Sequence, residues 1–222
     1  DQSRYHPASL MKVPLMIAWL KMAEANPGAL EQYLDYKLDD SKLPKGQYFK
    51  SASIEDDKKY TVHDLIFYMI ANSDNRATYA LQQFADVKMA SMMFNELGLP
   101  PLKLEDPNYL LSASEYSTFI KAIFNSTFNS PEYSEYAAEM MANSTFKEGF
   151  AKGFPAGTKM WHKFGEWSFA GKPEELHQSG VVFIGKEPYI LTVMTRGKGL
   201  DNLAKIIEMV SKRVYSSTMK FS

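Results

Sequence analysis

Cysteine is absent from the 222-residue sequence. That removes disulfides, thiol nucleophiles and cysteine-based metal sites together, and leaves the redox compartment open. Histidine is sparse: His6, His63, His162 and His177 are scattered, and no two form an H-x-x-x-H pair. Neither a zinc site nor any other cofactor is expected. No run approaches eighteen apolar residues, so no membrane-spanning helix is expected. Charge of one sign is not in excess: 25 basic and 26 acidic residues leave a formal net charge of -1. Such a chain has no electrostatic footprint for nucleic acid or for an anionic membrane surface. Internal repeats and low-complexity segments are also missing. The sequence begins with Asp1 and not Met, so any signal peptide or upstream anchor is expected to have been removed or to lie outside this chain.

Apolar residues make up 45% of the chain and aromatic residues 14%. That is enough for one globular domain over 1–222, in two lobes: a helical lobe over about 9–154, and a sheet with a last helix over about 155–222. Residues 9–25 read as a strongly apolar helix, with Pro14 beyond the first turn, where it should cost a hydrogen bond and bend the axis. Asn26-Pro27-Gly28 ends it. Residues 39–59 are polar and read mostly as loop. Thr61-Val62-His63-Asp64 has the T-x-x-D form of a helix start, ahead of the apolar run LIFYMI. That helix stops at Ser73-Asp74-Asn75. Further helices are expected over 77–84, 87–97, 112–124 with Ser112 as cap, and 131–143. After about residue 155 the pattern turns to strands, at 159–164, 180–184 and 189–195, the last two joined at Gly185-Lys186-Glu187-Pro188. A helix over 201–215 closes the chain. The fold class is therefore α+β, helices first and an antiparallel sheet late.

A serine hydroxyl needs a base before it is a useful nucleophile. Ser9-Leu10-Met11-Lys12 puts an amine and a hydroxyl on one helix face. Burial of Lys12, or a second cation nearby, would lower its pKa toward that of a base. The helix N-terminus would place free N–H groups and a positive dipole end beside Ser9. The S-x-x-K spacing is not selective, because it recurs at Ser144–Lys147 and Ser217–Lys220. Only Ser9 is followed by both S-D-N and a later K-x-G. Ser73-Asp74-Asn75 reads either as a helix end, since all three residues cap well, or as a site in which Ser73 relays a proton and Asn75 bonds substrate and Lys12. Lys163-Phe164-Gly165 reads either as an edge-strand lysine with a turn glycine, or as a substrate-binding strand. In that second reading Lys163 binds a carboxylate, Gly165 admits the substrate backbone, and the N–H of Glu166 joins that of Ser9 in an oxyanion hole.

S-x-x-K, S-D-N and K-x-G in that order resemble the serine β-lactamase and penicillin-binding protein superfamily. The flanking residues look like the class A branch. Pro7–Pro14 resembles the nucleophile helix and Thr61–Ala77 the S-D-N segment. Lys163–Glu166 followed by His177–Phe183 resembles the sheet of class A-like proteins. The resemblance covers nearly the whole chain. It implies a serine β-lactamase-like αβα fold: a helical lobe plus an antiparallel sheet flanked by helices. It implies catalysis by Ser9, Lys12 and Ser73, and substrate binding by Asn75, Lys163, Gly165 and Glu166. The substrate would be a β-lactam or a peptidoglycan-like small molecule. The resemblance further implies an extracytoplasmic bacterial protein, periplasmic or secreted, and a monomer.

Three departures qualify this. Phe164 replaces the Thr or Ser of the third motif, whose hydroxyl helps hold a β-lactam carboxylate. The interval 99–111 is about ten residues short and has no E-x-x-L-N, the source of the deacylating Glu; Glu105 or Asp106 is a substitute or a polar loop residue. Only eight residues precede Ser9, where the family has two strands and a helix, so either the N-terminal strands are missing from this chain or the sheet is expected to be reduced to its late strands, and a three-stranded remnant would keep an unpaired edge. The expected function is a serine hydrolase forming an acyl-enzyme with a β-lactam or related amide or ester, with slow deacylation. The alternative is a non-catalytic penicillin-binding-like or wall-associated binding domain. Met89, Met92 and Met93 are assigned to the core. Tyr48 is a loop tyrosine or a cleft wall, and Arg196 a surface residue, a helix cap or a carboxylate ligand.

Overall fold

A computed structural model of the chain describes residues 3–44, 47–103, 106, 109–184 and 187–219. The chain divides into two compact units whose segments interleave in sequence. One comprises Asp1–Leu10, Lys103–Lys121 and Phe146–Ser222; the other comprises Met11–Leu102 and Ala122–Thr145. The division is thus not sequential.

The first unit is built on three antiparallel strands in the order β1-β2-β3: β1 (Met160–Trp167), β2 (Glu174–Ile184) and β3 (Glu187–Gly197). The register pairs Lys163 with Ser179, Gly165 with His177 and Glu166 with Leu176. Residues 185 and 186 of the expected hairpin turn lie outside the described residues. The strands on either side of them pair from Ile184–Glu187 to Glu174–Gly197. The last helix, α8 (Leu200–Thr218), packs on β2 and β3 through Leu200, Leu203, Ala204 and Ile207, all buried. A short helix that the sequence pattern does not signal, α7 (Phe150–Gly153), packs against α8. Helix α5 (Ala113–Phe124) starts with a reciprocal cap: Ser112 Oγ accepts from Glu115 N (3.2 Å), and Glu115 Oε2 accepts from Ser112 N (2.8 Å),.

The second unit is helical. Its centre is α1 (Lys12–Ala25), whose Val13, Met16, Ile17 and Leu20 are fully buried. Around it lie α2 (Val62–Ala71), α3 (Asn75–Gln82), α4 (Val87–Glu96) and α6 (Pro131–Ala142). The expected start of α2 is a complete capping box between Thr61 and Asp64. Met93 is fully buried, but Met92 is exposed, because it faces away from α1 on the one-sided helix α4; the core assignment holds for Met93 and not for Met92.

Pro14 is corrected by the structure. Residues Ala8–Met11 form a 3₁₀ turn, and the α-helix begins only at Lys12. Pro14 therefore sits in the first α-helical turn, where its missing N–H has little consequence, and it carries no necessary kink.

Candidate active site

Ser9 lies half-buried in the 3₁₀ turn Ala8–Met11. The turn is locked within the first unit. Leu10 N donates to Pro7 O (2.9 Å). The fully buried Tyr116 donates its hydroxyl to Leu10 O (3.0 Å); burial pushes that phenol far above its ordinary pKa, so it stays a donor,. Gly165 of β1 faces the same turn. A Cβ built there would lie 2.9 Å from both Leu10 N and Pro7 O. The glycine is therefore needed for the close approach of the Pro7–Leu10 turn to β1,. Ala8, just before Ser9, has φ of 48°, a left-handed conformation that costs a residue with a Cβ about 1 kcal/mol or more,.

In the second unit Lys12 is buried, and its ammonium donates to Ser73 O (2.5 Å), Asn75 Oδ1 (2.8 Å) and Ser73 Oγ (3.3 Å). Ser73 is buried between α2 and α3 and also has a positive φ, 57°. The middle residue of the motif explains how that conformation is held. The Asp74 carboxylate caps α3 through Arg76 N (3.0 Å) and Ala77 N (3.3 Å). It also accepts from Ser53 Oγ (2.8 Å) and Ile54 N (2.9 Å). Asp74 thus ties the S-D-N segment to the loop before α2. Asp74 is thus a helix cap, and Ser73 and Asn75 both accept from Lys12 Nζ.

On β1, Lys163 is fully buried, its ammonium donating to Phe164 O (2.9 Å) and lying 4.4 Å from the Phe164 ring centroid. The Phe164 ring stacks on Phe146 with centroids 4.1 Å apart and planes 12° from parallel. His162, beside them, is fully buried. Burial first, then the Lys163 and Lys147 charges, hold its pKa down at about 3, so Nδ1 faces Gln178 Nε2 (3.1 Å) as part of a neutral ring.

Ser9, Lys163, Gly165 and Glu166 belong to the first unit, and Lys12, Ser73 and Asn75 to the second. The competing S-x-x-K tetrads separate on local structure. Ser144–Lys147 is not helical, so its spacing creates no shared face. Ser217 lies at the end of α8, and Lys220 is outside the described residues. Glu105 is also outside them. Tyr48 is exposed on a loop, edge-on to Phe49. Arg196, near the end of β3, donates to the chain's own Glu175 carboxylate (2.7 Å). Asp74 enters the sequence reading only as one of three capping residues, and Tyr116 not at all. For Asp74 the capping propensity was a usable signal; for Tyr116 nothing local marks a contact 106 residues away.

A sequence model of the beta-lactamase enzyme family matches residues 1–218. The chain belongs to that family. It is a beta-lactamase-like serine hydrolase by membership, and its α+β architecture agrees with solved beta-lactamase-fold proteins. PBP-A is similar with a TM-score of 0.79 at 19% identity, covering 99% of this chain and 83% of PBP-A. A beta-lactamase from Sphaerobacter thermophilus is similar at 0.77 and 19%, covering 97% of this chain and 84% of that one. A beta-lactamase from Chitinophaga pinensis is similar at 0.80 and 15%, covering 97% and 86%. At such identities the likeness is one of fold. No curated protein matches the chain in sequence. No helix among the described residues is long and apolar enough to cross a membrane.

Proposed function

We propose that this beta-lactamase-family chain, acting as one catalytic domain, forms an acyl-enzyme on Ser9 with a β-lactam or a related amide or ester. The observation that carries the reading is Lys12 Nζ held by Ser73 Oγ and Asn75 Oδ1. Lys12, acting as the neutral amine, takes the proton of Ser9 Oγ as that oxygen attacks the carbonyl carbon. The N–H groups of Ser9 and Glu166 hold the oxyanion. As the carbon–nitrogen bond breaks, Ser73 gives its hydroxyl proton to the leaving nitrogen and regains one from Lys12. Among these acceptors of the Lys12 ammonium, the Ser73 hydroxyl is the one that can also donate, so the pair can run in either direction. Asn75, Lys163 and Gly165 position the substrate and the turn. A solved PBP-A variant captured as an acyl-enzyme with penicillin G is a protein of the same fold.

Slow deacylation is part of the proposal. The interval 99–111 carries no E-x-x-L-N, and Phe164 offers no hydroxyl to a carboxylate. The protein then acts as a penicillin-binding peptidase-like enzyme or an esterase, working as a monomer outside the bacterial cytoplasm. The second reading, a non-catalytic binding domain, draws support from Phe164, whose ring is spent on a buried stack with Phe146. A fluorescent penicillin decides between them. Stoichiometric labelling that Ser9→Ala abolishes supports catalysis, and an absence of labelling supports the binding domain. A chromogenic cephalosporin should give a burst of about one equivalent and then a stall; fast steady turnover would refute slow deacylation.

A further inference from the structure

Three residues before Ser9, the chain is gripped by a buried carboxylate. Glu175, on β2, is about 1% exposed. Its Oε2 accepts from His6 N (2.8 Å) and faces His177 Nε2 (3.3 Å). Its Oε1 accepts from Arg196 Nε (2.7 Å) and faces His6 Nδ1 (3.4 Å). His177 is fully buried. Its Nδ1 accepts from Thr195 N (3.3 Å), so the ring proton sits on Nε2, which points at both Glu175 and His6 O (3.1 Å),. Arg196 also donates to Arg4 O (2.5 Å) and lies over the Tyr5 ring (4.8 Å). The His6 ring stacks on Trp167, the last residue of β1, at 4.1 Å and 2°. All of these residues lie in the first unit.

The clamp meets a strained residue. Ala8 holds φ of 48° between the gripped His6 and the locked Leu10. An alanine left free would relax to negative φ and turn Ser9 with it. We propose that Glu175 is a positioning residue for the nucleophile: with His177 and Arg196 it fixes Arg4–His6, holds Ala8 in the left-handed conformation and so aims the Ser9 hydroxyl.

This inference rests on Ser9 being the nucleophile, and the test separates the two. Glu175→Gln keeps the shape but turns an amide donor toward groups that need an acceptor. Ala8→Gly removes the cost of positive φ. At a temperature where every variant is folded, Glu175→Gln should slow the acylation step of fluorescent penicillin labelling about 10- to 100-fold, the size expected for a misaimed reacting group, with the apparent binding constant unchanged. In the Ala8→Gly background the same change should slow it several-fold less. The loss of Tm caused by Glu175→Gln should shrink in the same way. A Glu175→Gln protein that loses Tm but acylates at the unmutated rate would make the clamp merely structural and overturn the proposal. Equal penalties with and without the Ala8→Gly change would overturn its route through Ala8. If the unmutated protein does not label at all, the Ser9 reading fails; the Tm cycle then decides the hold on Ala8, and additive effects refute it.

Discussion

Lys12 Nζ and Asn75 Oδ1 lie 2.8 Å apart across 63 residues of sequence, both inside the helical unit. The bond joins the first α-helical residue of α1 to the first of α3. Lys12→Ala should slow penicillin acylation about 10²–10⁴-fold, the usual worth of a positioned proton-transfer group. Asn75→Ala should cost less, because Ser73 O and Oγ still receive the ammonium. Single-turnover labelling rates check both; a Lys12→Ala protein that acylates normally would remove Lys12 as the base.

Gly165→Ala should be poorly tolerated although glycine is the better-known cause of flexibility. Its Cβ would press on Leu10 N and Pro7 O, which are backbone atoms and cannot swing aside. We expect a loss of about 1–3 kcal/mol in unfolding free energy, typical of overpacking, and a slower acylation step from the displaced turn. Denaturant melts with labelling kinetics test this.

Asp74→Ala should destabilise the helical unit by about 1–3 kcal/mol, since it removes a cap and strands the buried N–H groups it serves. Asp74→Asn should recover part of that loss, because one carboxamide oxygen can still cap α3. Hydrogen exchange at Ile54, Arg76 and Ala77 should report the loss locally.

Acid should weaken the sheet unit in two stages. His162 is held neutral, with a folded pKa of about 3 against an ordinary 6.5. Its contribution is complete above pH 6.5 and declines as pH falls toward 3, because the unfolded chain takes up a proton that the folded chain refuses,. For Glu175, burial alone would raise the pKa, but hydrogen bonds from His177, Arg196 and His6 N outweigh it and hold the carboxyl at about 2. Its contribution is complete above pH 4.5 and is lost as pH falls toward 2. Tm should therefore begin to fall below pH 6.5 and steepen below 4.5. His162→Gln should flatten the upper stage and leave the lower one, as a set of melting curves from about pH 7 to 3 would record.

The local features of this protein were legible from residues alone because they depend on neighbours in sequence. The helix start at Thr61, the cap at Ser112, the stop at Ser73-Asp74-Asn75, and the order of helices and late sheet all arise within a few residues. The order of S-x-x-K, S-D-N and K-x-G marked Ser9, Lys12, Ser73, Asn75 and Lys163 as candidates through the family resemblance it carries. Long-range matters were not legible. Sequence could not show that Pro14 falls in a first turn, since that depends on the 3₁₀ start at Ala8. It could not show that Gly165 serves the Pro7–Leu10 turn, that Asp74 reaches Ser53 and Ile54, or that Glu175 grips His6 from 169 residues away. Those relationships exist only once separate segments pack, when each buried N–H and carboxylate must find a partner and each close backbone approach must exclude a Cβ.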